Sequence, residues 1–178
     1  MKSDVIAIDN TGAGFADAVD QARKVADYCH LTRKDALHLE LMTEEMLSLV
    51  RSITGEMQAS FWIETDGHQY DLHLTARTEM DKEKRHLLLS SSTSGKNEAA
   101  RSFLGYLRNA LEQALTADVD YSYSNIPMDL LHDLPSHPME AEDWDGYEQS
   151  VLKKVADNIR MAIRGEVVDM TVSRQFAN

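Results

Sequence analysis

The stretch QASFWIETDGHQYDLHLTAR, residues 58–77, constrains the fold more than any other part of the chain. Two strand-like runs, 58–65 and 68–77, flank Asp66-Gly67, a dipeptide favoured in two-residue type I′ hairpin turns. In the second run Tyr70, Leu72, Leu74 and Ala76 alternate with Gln69, Asp71, His73 and Thr75. Such alternation places one face on a core and the other in water. The hairpin therefore needs an apolar partner, and the helix expected over 35–54 is the nearest one. Tyr70, Leu72 and Leu74 should pack against it.

Upstream, Val5 to Ile8 is a short β-type run that ends in the turn cluster Asp9-Asn10-Thr11-Gly12. Phe15, Val19, Ala22, Val25 and Ala26 then recur at spacings of three and four, which predicts a helix over 13–30. Asp35 is placed to cap the second helix, which runs to about Ile53 and stops at Gly55. After the hairpin, Glu79 to Arg85 reads as a charged connection and Leu87-Leu88-Leu89 as a buried strand. A helix is expected from about Asn97 to Leu115. Residues 116–143 form a long acidic loop that holds Pro127, Pro135 and Pro138. A last helix is expected over Tyr147 to Asp157, and a closing hairpin over Ile159–Arg164 and Val167–Gln175 around Gly165-Glu166. Strands in hairpins and helices in runs make an α+β fold. We expect a mixed, largely antiparallel sheet with helices on one face, in a single domain over 1–178.

Composition sets the class of partner. The net charge of −12 over 178 residues argues against nucleic acid and against an anionic membrane. Apolar residues at 43% and charged residues at 27% are globular proportions. Cys29 is the only cysteine, so no intrachain disulfide forms. No secretory signal and no membrane-spanning run is visible, and a cytoplasmic location is expected. The histidines form no metal motif, and no metal site is expected. His68 and His73 are five residues apart in a strand pair and point to opposite faces.

One strand, two helices, a hairpin, and paired glutamates in "EEMLSLVRSITG" on the second helix give the chain a likeness to a known family. It resembles the GHKL ATPase fold of histidine kinases and gyrase-type ATPases over about residues 4–115. The most similar branch is the anti-sigma-factor serine kinases of Gram-positive bacteria. In those proteins a glutamate on the second helix activates the attacking group. An asparagine four residues later holds Mg²⁺ against the nucleotide phosphates. The resemblance implies ATP and Mg²⁺ as cofactors and Glu45 as the catalytic residue. It implies Glu44, Ser48, Ser94, Gly95, Lys96 and Asn97 as the nucleotide-binding set.

The departures are specific. Four residues after Glu45 stands Leu49, and Mg²⁺ requires oxygen ligands. No Asp-x-Gly-x-Gly follows the third strand, and no glycine lies between Gly67 and Gly95. Gly95-Lys96 echoes the end of a phosphate-binding loop, but Ser90 and Asn97 occupy positions that need Gly and Ser or Thr. Read from the residues alone, Glu45 is either catalytic or a solvated edge position, and 90–97 is either a phosphate cradle or a serine-rich turn with a helix cap. Three functions remain. One is a regulatory protein that acts by protein–protein contact with weak or lost ATP binding, its partner a sigma factor or an anti-anti-sigma-like regulator, or a second copy in a homodimer. The others are an active ATP-dependent serine kinase and an α+β binding module of unknown ligand.

Overall fold

In the computed structural model, the residues described are 1–9, 14–54, 58–100 and 151–176. Strand β1 (Ile6–Ile8) is followed by helices α1 (Phe15–Tyr28) and α2 (Arg33–Thr54). Then come β2 (Gln58–Thr65), β3 (Gln69–Arg77), α3 (Lys82–Ser91) and a 3₁₀ turn (Glu98–Ala100). Residues 151–155 are helical and lead into β4 (Asn158–Arg164) and β5 (Val167–Gln175). The strands form one five-stranded sheet in the order β1-β2-β3-β5-β4, antiparallel at every pairing. The fold is α+β. Among the described residues, the expected mixed character is reduced to a single isolated parallel bridge, Asn97 to Met161.

One face of the sheet is the core. Phe61, Ile63, Tyr70, Leu72, Leu74, Met161, Met170 and Val172 are each at most 1% exposed. They join Leu39, Met42, Met46, Leu47, Leu49 and Val50 of α2 and the small residues Ala18, Ala22 and Ala26 of α1 in one cluster. Alanines on α1 let it lie close to α2, and the pair is clasped outside by Arg23 and Glu40 at 2.8 Å. That contact gives Glu40 an opposite charge. The like-charge crowding of Glu40 and Glu44, four apart on one helix, is thereby offset.

Local chemistry corrects four sequence expectations. Leu87–Leu89 is not a strand but the second half of α3. Asp81 caps that helix by accepting from the Lys84 N–H at 2.7 Å, so the charged connection becomes its first turn. Three consecutive leucines fit a strand or a buried helix equally, and the cap decides. The serines that follow then have a role. Ser90 and Ser91 donate to the Leu87 carbonyl and Ser92 to that of Leu89, at 2.7–2.8 Å, satisfying carbonyls near the helix end. Second, Thr32 caps α2 rather than Asp35. Its hydroxyl accepts from the Asp35 N–H at 3.2 Å and donates to the Asp35 carboxylate at 2.7 Å. Third, the first hairpin has a longer loop than a two-residue turn. Thr65 pairs with Tyr70, and the Asp66 carboxylate accepts from the N–H groups of both His68 and Gln69 at 2.9 Å. Fourth, α1 spans Phe15–Tyr28 rather than 13–30, because Gly14 at φ +84° starts it.

The closing hairpin forms as expected. Arg164 pairs with Val167 around Gly165 at φ +60°, which suits the first position of a type II′ turn. The Gly55 stop, most of the helix expected over 97–115, the 116–143 loop and residues 147–150 of the last helix lie outside the described residues.

Candidate functional site

The sequence-selected residues fall in two groups. Glu44, Glu45 and Ser48 sit in the middle of α2, Glu44 exposed and the other two half-buried. Leu49, the position that would carry a metal-holding asparagine, is 2% exposed and faces the core. Ser94, Gly95 and Lys96 form an exposed turn, with Gly95 at φ +65°. The 3₁₀ turn beyond it packs on β4.

Asn97 is structural. Its side chain donates to the Ile163 carbonyl at 2.9 Å and accepts from the N–H groups of Ile163 at 2.8 Å and Ala99 at 3.1 Å. Nearby, Thr93 donates its N–H to the Ile159 carbonyl at 2.9 Å, and its hydroxyl accepts from the Ile159 N–H at 2.8 Å. Segment 93–97 thus covers the outer edge of β4 with side-chain and main-chain hydrogen bonds, where an edge strand would otherwise be open to pairing. The Lys96 N–H is held by the Ser94 hydroxyl at 3.2 Å. Asn97→Ala leaves both polar groups of Ile163 unpaired in a buried place. We expect it to cost about 2–4 kcal/mol in urea unfolding, by the usual penalty for stranded buried groups. Asn97→Asp keeps the acceptor but turns a buried carboxylate oxygen toward the Ile163 carbonyl, and should cost at least as much as alanine. An aspartate variant as stable as the parent would refute the two-way clamp.

A second cluster lies on the sheet face turned away from the core. Trp62, His73, Thr171 and Arg160 stand side by side across β2, β3, β5 and β4. The Trp62 and His73 rings stack with centroids 5.0 Å apart and planes 9° from parallel. Lys2 lies 4.6 Å above the indole and 3.1 Å from Glu64. The indole N–H donates to Glu64 at 2.9 Å, which with Lys2 holds that carboxyl below its usual range. His73 Nδ1 is 3.3 Å from the Thr171 hydroxyl, and its Nε2 is 4.0 Å from Glu64. Residues 1–3 run along the outside of β2. Met1 and Thr65 bond to each other's backbone, and Ser3 bonds to Ile63 at 2.9 Å.

Burial pushes the His73 imidazole down, against the pull of Glu64 and Asp71, so the ring is held neutral. The unfolded chain then takes up a proton first as pH falls. Stability from this site is complete above the ordinary histidine value of about 6.5 and is lost as pH falls from there toward the folded value. His73→Phe keeps the stack without the proton. Thermal melting at pH 7.5 and 5.5 should show a smaller acid loss in the variant than in the parent.

Sequence reading placed His73 on the water-facing side of its strand and dismissed it as a metal ligand, and it gave Trp62 no role. A two-residue turn would have set Trp62 opposite Asp71. The four-residue loop shifts the register by two and brings Trp62 to His73. Among the described residues, no group of three or more His, Cys, Asp or Glu converges as for a metal ion. No helix among them is long and apolar enough to cross a membrane. No protein-family model matches the chain, and no curated protein matches it either.

Proposed function

We propose that the chain is a cytoplasmic regulatory protein of the anti-sigma type, which acts by contact with another protein on a GHKL-like frame whose ATP binding is weak or lost. The observation that carries this reading is the orientation of Leu49 into the core at 2% exposure. In the family it resembles, that helix position holds the metal. Here the side chain is committed to packing. Asn97 and Thr93, in the segment that would lie at the phosphates, are bonded to β4 instead. The element order, with two helices between β1 and the first hairpin and a closing hairpin at the end, fits the resemblance.

The outer sheet face supplies a contact surface. Trp and Arg dominate binding energy at protein interfaces, and Trp62 and Arg160 stand in one row here. The kinase reading keeps one supporting observation, the half-buried Glu45 amid buried α2 neighbours. Calorimetric titration with ATP, with and without Mg²⁺, separates the two. We expect no micromolar binding. Mg²⁺-dependent micromolar binding that disappears in Glu45→Ala would favour the kinase. For the contact face, Trp62→Ala should weaken capture of whatever protein the parent chain retains. Unchanged capture would remove this face from the reading.

A further inference from the structure

We infer that Cys29, at the joint between α1 and α2, is a site of reversible oxidation. It takes one oxygen atom from a hydroperoxide, and the buried Tyr70 hydroxyl holds the resulting sulfenic acid.

Two side chains carry the inference. Tyr70 on β3 is 0% exposed, yet among the described residues its hydroxyl has no hydrogen-bond partner. A buried hydroxyl left unpaired is costly and uncommon, and it calls for an acceptor. The polar groups beside it are the Cys29 thiol and the Thr65 hydroxyl. The Thr65 hydroxyl already accepts from the Gly67 N–H at 2.9 Å. A thiol sulfur is a weak acceptor, and Cys29 completes no hydrogen bond to the tyrosine. The Phe176 ring packs edge-on against the Tyr70 ring with centroids 5.3 Å apart. Burial, and then the Cys29 sulfur, push the Tyr70 hydroxyl above its ordinary range, so it keeps its proton and remains a donor.

Cys29 can be reached from solvent. It is half-buried and stands between the exposed residues Tyr28 and His30. Its N–H donates to the Val25 carbonyl at 3.0 Å, which fixes the backbone that carries the sulfur. The side chain packs against the core cluster that contains Tyr70. With hydrogen peroxide, the sulfur attacks one oxygen and the S–O bond forms as the O–O bond breaks. The other oxygen leaves with the thiol proton as water, so the sulfur is oxidised and the peroxide reduced. The chain has no second cysteine, and the sulfenic acid therefore has no intrachain thiol with which to condense. Its oxygen is the acceptor that the Tyr70 hydroxyl lacks. That hydrogen bond exists only in the oxidised state. It draws electron density from the sulfenic group and slows a second oxidation to the sulfinic acid. This inference is independent of the proposed protein contact at Trp62 and of the nucleotide question.

The test treats the full chain with hydrogen peroxide at neutral pH. Intact mass and peptide mapping follow the product, with dimedone as the probe because it adds to a sulfenic acid and not to methionine sulfoxide. We expect a dimedone adduct at Cys29 in the folded chain, and recovery of the thiol by dithiothreitol when dimedone is left out. Tyr70→Phe keeps the ring and removes the donor. In the reduced state it should melt no lower than the parent, because the hydroxyl it removes is unpaired. Its sulfenic acid should pass to the sulfinic acid about tenfold faster than the parent's, the worth of one hydrogen bond. Three results would each overturn the assignment: no adduct at Cys29 in the folded parent, equally fast passage to the sulfinic acid in Tyr70→Phe, or a reduced Tyr70→Phe chain that melts well below the parent.

Discussion

Leu49→Asn is expected to destabilise the protein by about 3–5 kcal/mol, the sum of lost leucine burial and a stranded amide. It is not expected to create nucleotide binding. The substitution writes into α2 the residue that the resembling family uses to hold Mg²⁺, so it tests fold and function together. Leu49 is 2% exposed and packs in a cluster with Met46, Val50 and Ile53 of the same helix. An amide in that cluster meets methylenes and thioethers, none of which replaces its water. Urea unfolding measures the loss, and calorimetry with Mg²⁺ and ATP measures the function. A variant that stays as stable as the parent and gains Mg²⁺-dependent ATP binding would show that this face of α2 belongs to a nucleotide site.

The second large effect is expected at Gly14. A Cβ built on Gly14 would lie 2.0 Å from the carbonyl oxygen of Ala7 and 3.0 Å from its carbon. Both atoms are backbone of β1, so the collision is relieved only if the strand or the start of α1 moves. Gly14 also sits at φ +84°, where an L residue is strained. Gly14→Ala should therefore cost about 3 kcal/mol or more, combining left-handed strain with overpacking. Gly95→Ala is the control. Its φ of +65° is also left-handed, but no atom lies within 4 Å of the added methyl. It should lose only the conformational part, about 1 kcal/mol. If the two variants lose equal stability in urea unfolding, the close approach of α1 to β1 is not what requires glycine at position 14.

Periodicity in the sequence determined the layer structure. Alternation in 69–76 and in the closing hairpin leaves only one face of each strand able to enter a core. The apolar stripe of α2 supplies that core wherever the helix comes to lie. These patterns are local, and local sterics and solvation are enough to fix them. The −12 charge was equally legible, since it needs no fold.

What the tertiary structure decided depends on partners distant in sequence. Leu87–Leu89 carry no period that separates strand from helix, and the Asp81 cap settled the matter through one hydrogen bond. Asn97 looked like the end of a phosphate loop because its neighbours are Gly95 and Lys96. Its actual partners are the N–H and carbonyl of Ile163, 66 residues away. Trp62 and His73 were visible as residues but not as a pair. Their contact depends on the register of β2 against β3, and Asp66 sets that register by bonding two N–H groups in the turn.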